Sequence, residues 1–193
     1  MSGRPIGEQE QAPAACLAYD PRAQEVARKV AGMINDHLPA ITVEHVGSTA
    51  VPGCAGKGVI DLLIPYRKGG LEPVKETLKG LGFQRQGTRN AFPEDRPMRV
   101  GSIRHDGDTF RLHVHVVPAD SGEPDELRAF RERLRADPEM REAYVQRKRE
   151  IIKGGTTDAM DYSIIKGSFV REGLAKWRSA DGLPNSAEVR SRS

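Results

Sequence analysis

The sequence predicts an α/β (α+β) fold, in which helices pack on a mixed β-sheet. Two apolar runs of strand length, residues 41–46 and 58–66, flank a stretch of small residues. A helical segment follows, then two adjacent strands within 98–117, and further helical segments come after them. A strand–turn–strand–helix–hairpin order followed by helices is typical of a mixed sheet with a C-terminal helical pair.

The first half of the chain is predicted to form one helix and two strands. The helix covers residues 21–37, where Asp20 can cap the N-terminus and proline suits the first helical position. Residues 41–46 (ITVEHV) form a strand that ends at Gly47, and GVIDLLIPY at 58–66 is apolar enough to be central in the sheet. Apolar residues recur along the helix at helical spacing, namely Val26, Val30, Met33 and Ile34.

A short helix, a short strand and a hairpin are predicted next. The helix covers 73–81 and ends at Gly82, and residues 83–86 form the short strand. The hairpin covers 98–117, with HDGD as its turn. Its second arm alternates between two faces, with Phe110, Leu112, Val114 and Val116 on one and Arg111, His113, His115 and Val117 on the other.

The helical pair is predicted from the remaining sequence. Its first member covers 123–153 and is interrupted near Pro138, where Asp137 can cap the second part. Its second member covers 159–177.

Composition and charge exclude several classes of protein. The chain has 193 residues, of which 37% are hydrophobic and 30% charged, and these values suit one folded domain. Residues 1–13 and 181–193 are polar and rich in small residues or proline, so disordered tails are expected around a domain at 14–180. No apolar run reaches the ~20 residues that span a bilayer, so a membrane protein is not expected. The two cysteines, Cys16 and Cys54, form no disulfide framework, so the cytoplasm is the expected compartment.

Nucleic-acid binding is not expected either. The net charge is only +3 and aromatic residues make up 5% of the chain. The basic run RKREIIK at 147–153 is more typical of a solvated helix face.

The chemistry is concentrated in residues 45–61, HVGSTAVPGCAGKGVID. A strand that ends in Gly47, Ser48 and Thr49 offers backbone N–H groups and two hydroxyls to a phosphate, and Lys57 can add a positive charge. Asp61 lies inside the next strand, where an unpaired carboxylate is costly to bury. A metal ion or convergent hydrogen bonds would explain it. The alternatives are a tight turn capped by Ser48 and an ion pair between Asp61 and a base such as Arg111.

Further candidate residues lie outside this stretch. His113 and His115 share one strand face, so with Asp61 they form a candidate catalytic and metal-binding centre. Other candidate phosphate- or nucleotide-binding residues are His45, Arg111, Tyr162 and Lys166, the last two at i and i+4 on one helix. The alternatives are that His45 holds the loop and that Tyr162 and Lys166 are ordinary packing and surface residues.

The segment HVGSTAVPGCAGKGVID resembles the GrpB family of the nucleotidyltransferase-fold superfamily. Further matching motifs are LAYDPRAQEV, LHVHVV, AFRERLRADPEMREAYVQRKRE and YSIIKGSFV, and the resemblance covers residues 17–178. It implies a minimal nucleotidyltransferase-like sheet whose Asp-x-Asp pair holds a divalent metal. Here Val59 stands at the first Asp, only Asp61 is present, and the strand expected to supply a third carboxylate carries histidines.

The resemblance and its departures lead to the expected function. One Asp with two imidazoles is a poor Mg²⁺ site and suits Mn²⁺, Zn²⁺ or Ni²⁺ better, or a metal-free centre with His as acid or base. A nucleotide or phosphorylated small molecule is the expected ligand, with nucleotidyl or phosphoryl transfer to a small acceptor as the reaction. The alternatives are a non-catalytic nucleotide- or CoA-precursor-binding helper module, since such domains are also found fused to dephospho-CoA kinase, and RNA binding through 147–153.

Overall fold

The computed structural model describes residues 4–10, 15–87 and 91–154. The predicted helix 159–177, with Tyr162 and Lys166, lies outside these ranges. Among the described residues, no helix is both long and apolar enough to cross a membrane. The helices are α1 (Arg22–Asn35), α2 (Leu71–Leu81), α3 (Glu123–Ala136) and α4 (Pro138–Lys153), the strands are β1 (Glu44–Val46), β2 (Val59–Tyr66), β3 (Gln84–Arg85), β4 (Met98–His105) and β5 (Asp108–Pro118), and a 3-10 turn covers Ser48–Ala50.

The strands form one mixed sheet in the order β1-β2-β5-β4-β3. β2 and β5 are parallel neighbours at its centre, and the other pairs are antiparallel. The predicted α+β fold class is therefore confirmed. The parallel register sets Asp61 opposite His113 and Leu63 opposite His115, so residues far apart in sequence lie side by side.

The two faces of the sheet have different surroundings. The face bearing Ile60, Leu62, Val114 and Val116 is buried in one core with α1 and α2, and the alternation predicted for β5 is confirmed. On the opposite face α3 covers one end, where Leu127 packs against Val46, Leu63 and Val117. Asp61, His113 and His115 lie on this second face and are partly exposed.

The connections follow local sequence signals closely. Asp106 and Gly107 have φ of 49° and 84° in the HDGD turn, the left-handed values that a two-residue hairpin turn requires. The Asp137 side chain accepts a hydrogen bond from Met140 N at 2.9 Å and caps α4, so the predicted 123–153 helix is two helices. The inner faces of these two helices pack on the loop that follows the 48–50 turn.

Residues 4–10 differ from the disorder predicted for residues 1–13. Ile6 is buried and its N–H donates to Leu81 O at 3.1 Å, while Gly7 forms an antiparallel bridge with Ser102 on β4. Gly82 and Gly101 make the room, because a Cβ at either would collide with Ile6. The sequence of the segment is polar and could not reveal that it packs here, because the surface that receives it is built by residues far away in the chain.

Candidate functional site

Asp61 on β2 and His113 and His115 on β5 converge at one carboxylate oxygen. His115 Nε2 lies 3.2 Å and His113 Nδ1 3.6 Å from Asp61 Oδ1. Their side chains are 20%, 25% and 21% exposed for Asp61, His113 and His115, so the cluster is open to solvent on one side. The structure thus brings together the three residues that the sequence nominated as a centre.

The electrostatics keep Asp61 ionised. Burial alone would raise the pKa of its carboxyl group, but the hydrogen bonds and charges of His113 and His115 outweigh burial and hold it well below the usual value. The carboxylate therefore pairs with the two histidines, and not with Arg111 as the alternative interpretation had it. The Arg111 guanidinium instead donates to the Lys57 carbonyl.

Gly47 brings the 48–50 turn against this carboxylate. Its φ is 74°, and a Cβ placed there would lie 2.5 Å from Asp61 Oδ2. Glycine is therefore required for both its backbone conformation and its missing side chain. The consequence is that the turn and the ionised carboxylate lie in direct contact, as two parts of one site.

His45 and Thr49 hold the turn in place. Thr49 Oγ1 donates to Val59 O at 3.1 Å, and His45 Nε2 lies 3.0 Å from the same hydroxyl. Gln24 Nε2 donates to Thr49 O at 3.2 Å. Thr49 is buried, so the structure supports the alternative interpretation of His45 as a residue that holds the loop, and Thr49 shares that role.

The charge state of His45 agrees with this role. Burial is the largest cause that lowers its pKa to about 4, and the positive charges of Arg135 and Arg131 add to the effect, against an opposing influence of Asp61. The two arginines also bind the turn directly: Arg131 donates to His45 O at 2.9 Å and Arg135 to Ala50 O at 2.8 Å. The sequence could not show which carbonyls these arginines would bind, because the carbonyls lie about 85 positions away.

The sequence interpretation also missed the role of Lys148 on α4. Only 1% of this residue is exposed, although it belongs to the basic run assigned to a solvated face. Its ammonium donates to Ala55 O, lies 3.4 Å from Ser48 Oγ and 3.6 Å from Cys54 Sγ, and sits 4.2 Å from the centroid of the Tyr144 ring. The buried Lys148 side chain therefore lies directly behind Ser48.

Two other predicted phosphate-binding residues, Lys57 and Arg111, are bound to each other. Lys57 is partly buried, and its carbonyl accepts the hydrogen bond from Arg111. Burial is the main influence that lowers the pKa of Arg111, opposed by the charge of Glu10.

Two side chains that the sequence did not nominate reach the open cluster. The Phe92 ring lies edge-on to His115 with 6.0 Å between ring centroids. From the other side, Gln9 Nε2 lies 3.0 Å from His113 Nε2.

The donor set is compatible with a borderline divalent metal. One carboxylate oxygen and two imidazole nitrogens lie within 4.8 Å of one another. Two nitrogen donors and one oxygen donor suit Zn²⁺ or Mn²⁺, whereas Mg²⁺ prefers an octahedron of oxygen ligands. The cluster does not reproduce the carboxylate set of an Asp-x-Asp site, because Val59 is apolar.

Comparison with known proteins matches most of the chain to one family and to several related proteins. The family model described as GrpB protein matches residues 13–176. The UPF0157 protein BH1888 of Halalkalibacterium halodurans is 30% identical over 159 residues, covering 81% of this chain and 78% of that protein. A dephospho-CoA kinase of Mycolicibacterium paratuberculosis is 29% identical over 163 residues, which cover 74% of this chain and 40% of the kinase.

Two solved structures share the fold. The conserved protein GrpB from Enterococcus faecalis matches with a TM-score of 0.64 at 23% identity, covering 84% of this chain and 99% of that one. The GLD-2/RNP-8 complex matches with a TM-score of 0.51 at 13% identity over 77% of this chain and 58% of the matched chain. GLD-2 has the nucleotidyltransferase fold, so the fold that the sequence resemblance implied is confirmed.

Proposed function

The chain belongs to the GrpB family, and from this premise we propose that it binds a nucleotide or another phosphorylated small molecule beside the 48–50 turn. Asp61, His113 and His115 would form the polar or metal centre of that site. The observation that carries the proposal is the close approach of Gly47, which precedes the 48–50 turn and has no side chain, to an ionised carboxylate shared by two imidazoles.

Ser48 is the residue of the turn that we propose donates a hydrogen bond to phosphate. Lys148 Nζ donates to Ser48 Oγ at 3.4 Å, so the hydroxyl acts as acceptor on its buried side and can donate its own proton to a phosphate oxygen. In its ammonium form Lys148 would also place a positive charge behind that hydroxyl, which would favour an anion in front of it. In this respect Lys148, and not Lys57, is the cation that best supports a phosphate at the turn.

Asp61, His113 and His115 are the residues that would hold a divalent ion. A bound ion would supply positive charge to neutralise the phosphate. In a nucleotidyl or phosphoryl transfer the acceptor oxygen bonds to phosphorus while the bond from phosphorus to the leaving phosphate oxygen breaks. The acceptor proton then needs a base, and in a metal-free centre an imidazole of the pair would accept it.

A non-catalytic helper module is the second candidate function. Val59 favours it, since an apolar side chain at the first Asp position leaves a two-metal mechanism without a ligand. The dephospho-CoA kinase relative makes CoA precursors the ligands to try first under this alternative.

The test is thermal unfolding of the full chain against nucleotides, CoA precursors and divalent ions. A ligand at a hundred times its Kd should stabilise the wild type by about 2.7 kcal/mol. Asp61→Asn and His115→Ala should abolish a metal-dependent shift, while His37→Ala, an exposed histidine at the end of α1, should keep it.

The outcomes separate the two candidates. A nucleotide shift that needs metal and is lost in both site variants supports a transferase-type site. A metal-independent shift, or one confined to CoA precursors, supports the helper module. Unchanged unfolding temperatures with every ligand would contradict the proposed binding site.

A further inference from the structure

We infer that Gln9 is a positioning residue for His113, which it holds through the ring nitrogen remote from Asp61. The inference rests on the proposed metal centre at Asp61, His113 and His115. It adds to that centre a residue from a segment outside the family match, which begins at residue 13.

The segment that carries Gln9 is anchored at several points. Gly7 and Ser102 exchange backbone hydrogen bonds of 2.9 and 3.1 Å, and Gln9 N donates to the Gln84 side-chain oxygen at 3.2 Å. Ser102 Oγ also donates to Glu8 O. With Ile6 buried in the core, the segment runs along β4 and delivers Gln9 to the second face of the sheet.

Gln9 and Asp61 contact opposite sides of one imidazole. His113 Nδ1 faces Asp61 Oδ1 at 3.6 Å, and Nε2 faces the Gln9 amide nitrogen at 3.0 Å. With the amide in this orientation Gln9 donates to Nε2, so the proton of a neutral ring sits on Nδ1 and points at Asp61. The ring is then oriented as a partner of the carboxylate.

The same amide can hold the ring in its metal-binding tautomer. Rotation of the Gln9 amide by half a turn presents its oxygen, which accepts a proton from Nε2. Nδ1 is then an unprotonated donor beside Asp61 and His115. A metal-binding histidine typically donates its second N–H to such an acceptor, and loss of that acceptor lowers metal affinity about 10- to 100-fold.

Glutamine suits this position because it offers both a donor and an acceptor. A glutamate offers only an acceptor and would favour the metal-binding tautomer alone. A leucine has a similar size and offers neither. Comparing these three side chains at position 9 therefore shows whether the residue orients the ring by hydrogen bonding or only fills space.

The experiment is titration of the full chain with Zn²⁺ by calorimetry, in the wild type, Gln9→Leu and Gln9→Glu. Gln9→Leu should weaken binding 10- to 100-fold, and Gln9→Glu should retain or increase affinity. Glu8→Ala is the matched control, since Glu8 is exposed on the same segment, and it should leave affinity unchanged. Nitrogen NMR of the His113 ring should show a protonated Nε2 in the zinc-loaded wild type, and that proton should exchange with water faster in zinc-loaded Gln9→Leu, which lacks the acceptor.

The results that overturn the inference are distinct from those that overturn the metal centre. Absence of Zn²⁺ binding by the wild type, or binding unaffected by Asp61→Asn, removes the metal centre itself. A wild type that binds through Asp61 while Gln9→Leu binds equally well or more tightly removes only the role of Gln9, and tighter binding would identify Gln9 as a blocking residue.

Discussion

The 48–50 turn has two flanks with opposite properties. On the inner flank, His45, Thr49 and Lys148 direct their polar atoms at the turn and at neighbouring carbonyls. On the open flank, Asp61 and the two histidines of β5 face one another with a fifth to a quarter of each side chain exposed. Histidine occurs on both flanks, so the residue type alone does not decide whether a histidine is structural or binds a ligand.

The comparison teaches that burial and partners separate a structural histidine from a candidate ligand. His45 is held neutral by burial and nearby arginines, and its contacts stabilise the loop. His113 and His115 share a carboxylate that stays ionised, with one side open to a ligand. Changes on the inner flank should therefore alter the free energy of unfolding, and changes on the open flank should alter ligand affinity.

The largest effect is expected from Lys148→Ala. The substitution leaves a cavity beside Tyr144 and removes the donor to the buried Ala55 carbonyl, which together should lower the free energy of unfolding by about 3 kcal/mol. Urea unfolding measures this change. Lys148→Met, which keeps most of the volume, should cost less, and Lys153→Ala on the exposed side of α4 should cost little. Equal losses for Lys148 and Lys153 would contradict the buried role.

A somewhat smaller effect is expected from Gly47→Ala, which disturbs both flanks. A left-handed φ and a Cβ 2.5 Å from Asp61 Oδ2 should together cost about 2 kcal/mol. Gly53→Ala is the matched control, because Gly53 has a φ of 76° with no atom within 4 Å of the added Cβ. Only Gly47→Ala should also weaken ligand or metal binding. Identical behaviour of the two variants would argue against contact between the turn and Asp61.

An effect of similar size to that of Gly47→Ala is expected from the pH dependence due to His45. Its pKa is about 4 in the folded chain and 6.5 as the ordinary value. Between these values the unfolded chain binds more protons, so stability falls as pH decreases from 6.5 to 4. The loss between pH 7 and pH 5 should be about 2 kcal/mol. Urea unfolding of the wild type and His45→Asn at both pH values measures it, and an equally steep loss in the variant would assign the dependence to other groups.

The candidate centre could be predicted in part because its pattern is local. Alternation along β5 places His113 and His115 on one face whatever the rest of the chain does, since successive strand residues point to opposite sides. Asp61 was recognisable as a carboxylate in an apolar strand. Its pairing with those histidines required the parallel register of β2 and β5, which sequence periodicity does not specify.

The sequence by itself determined the element types, the HDGD turn, the Asp137 cap and the polar face of β5, because these depend on neighbouring residues and backbone geometry. Tertiary structure alone decided the places of Lys148 and Gln9. In sequence both look like solvated polar residues, and they contact residues about a hundred positions away. Burial of a polar side chain depends on which distant surface meets it, and local composition contains no information about that surface.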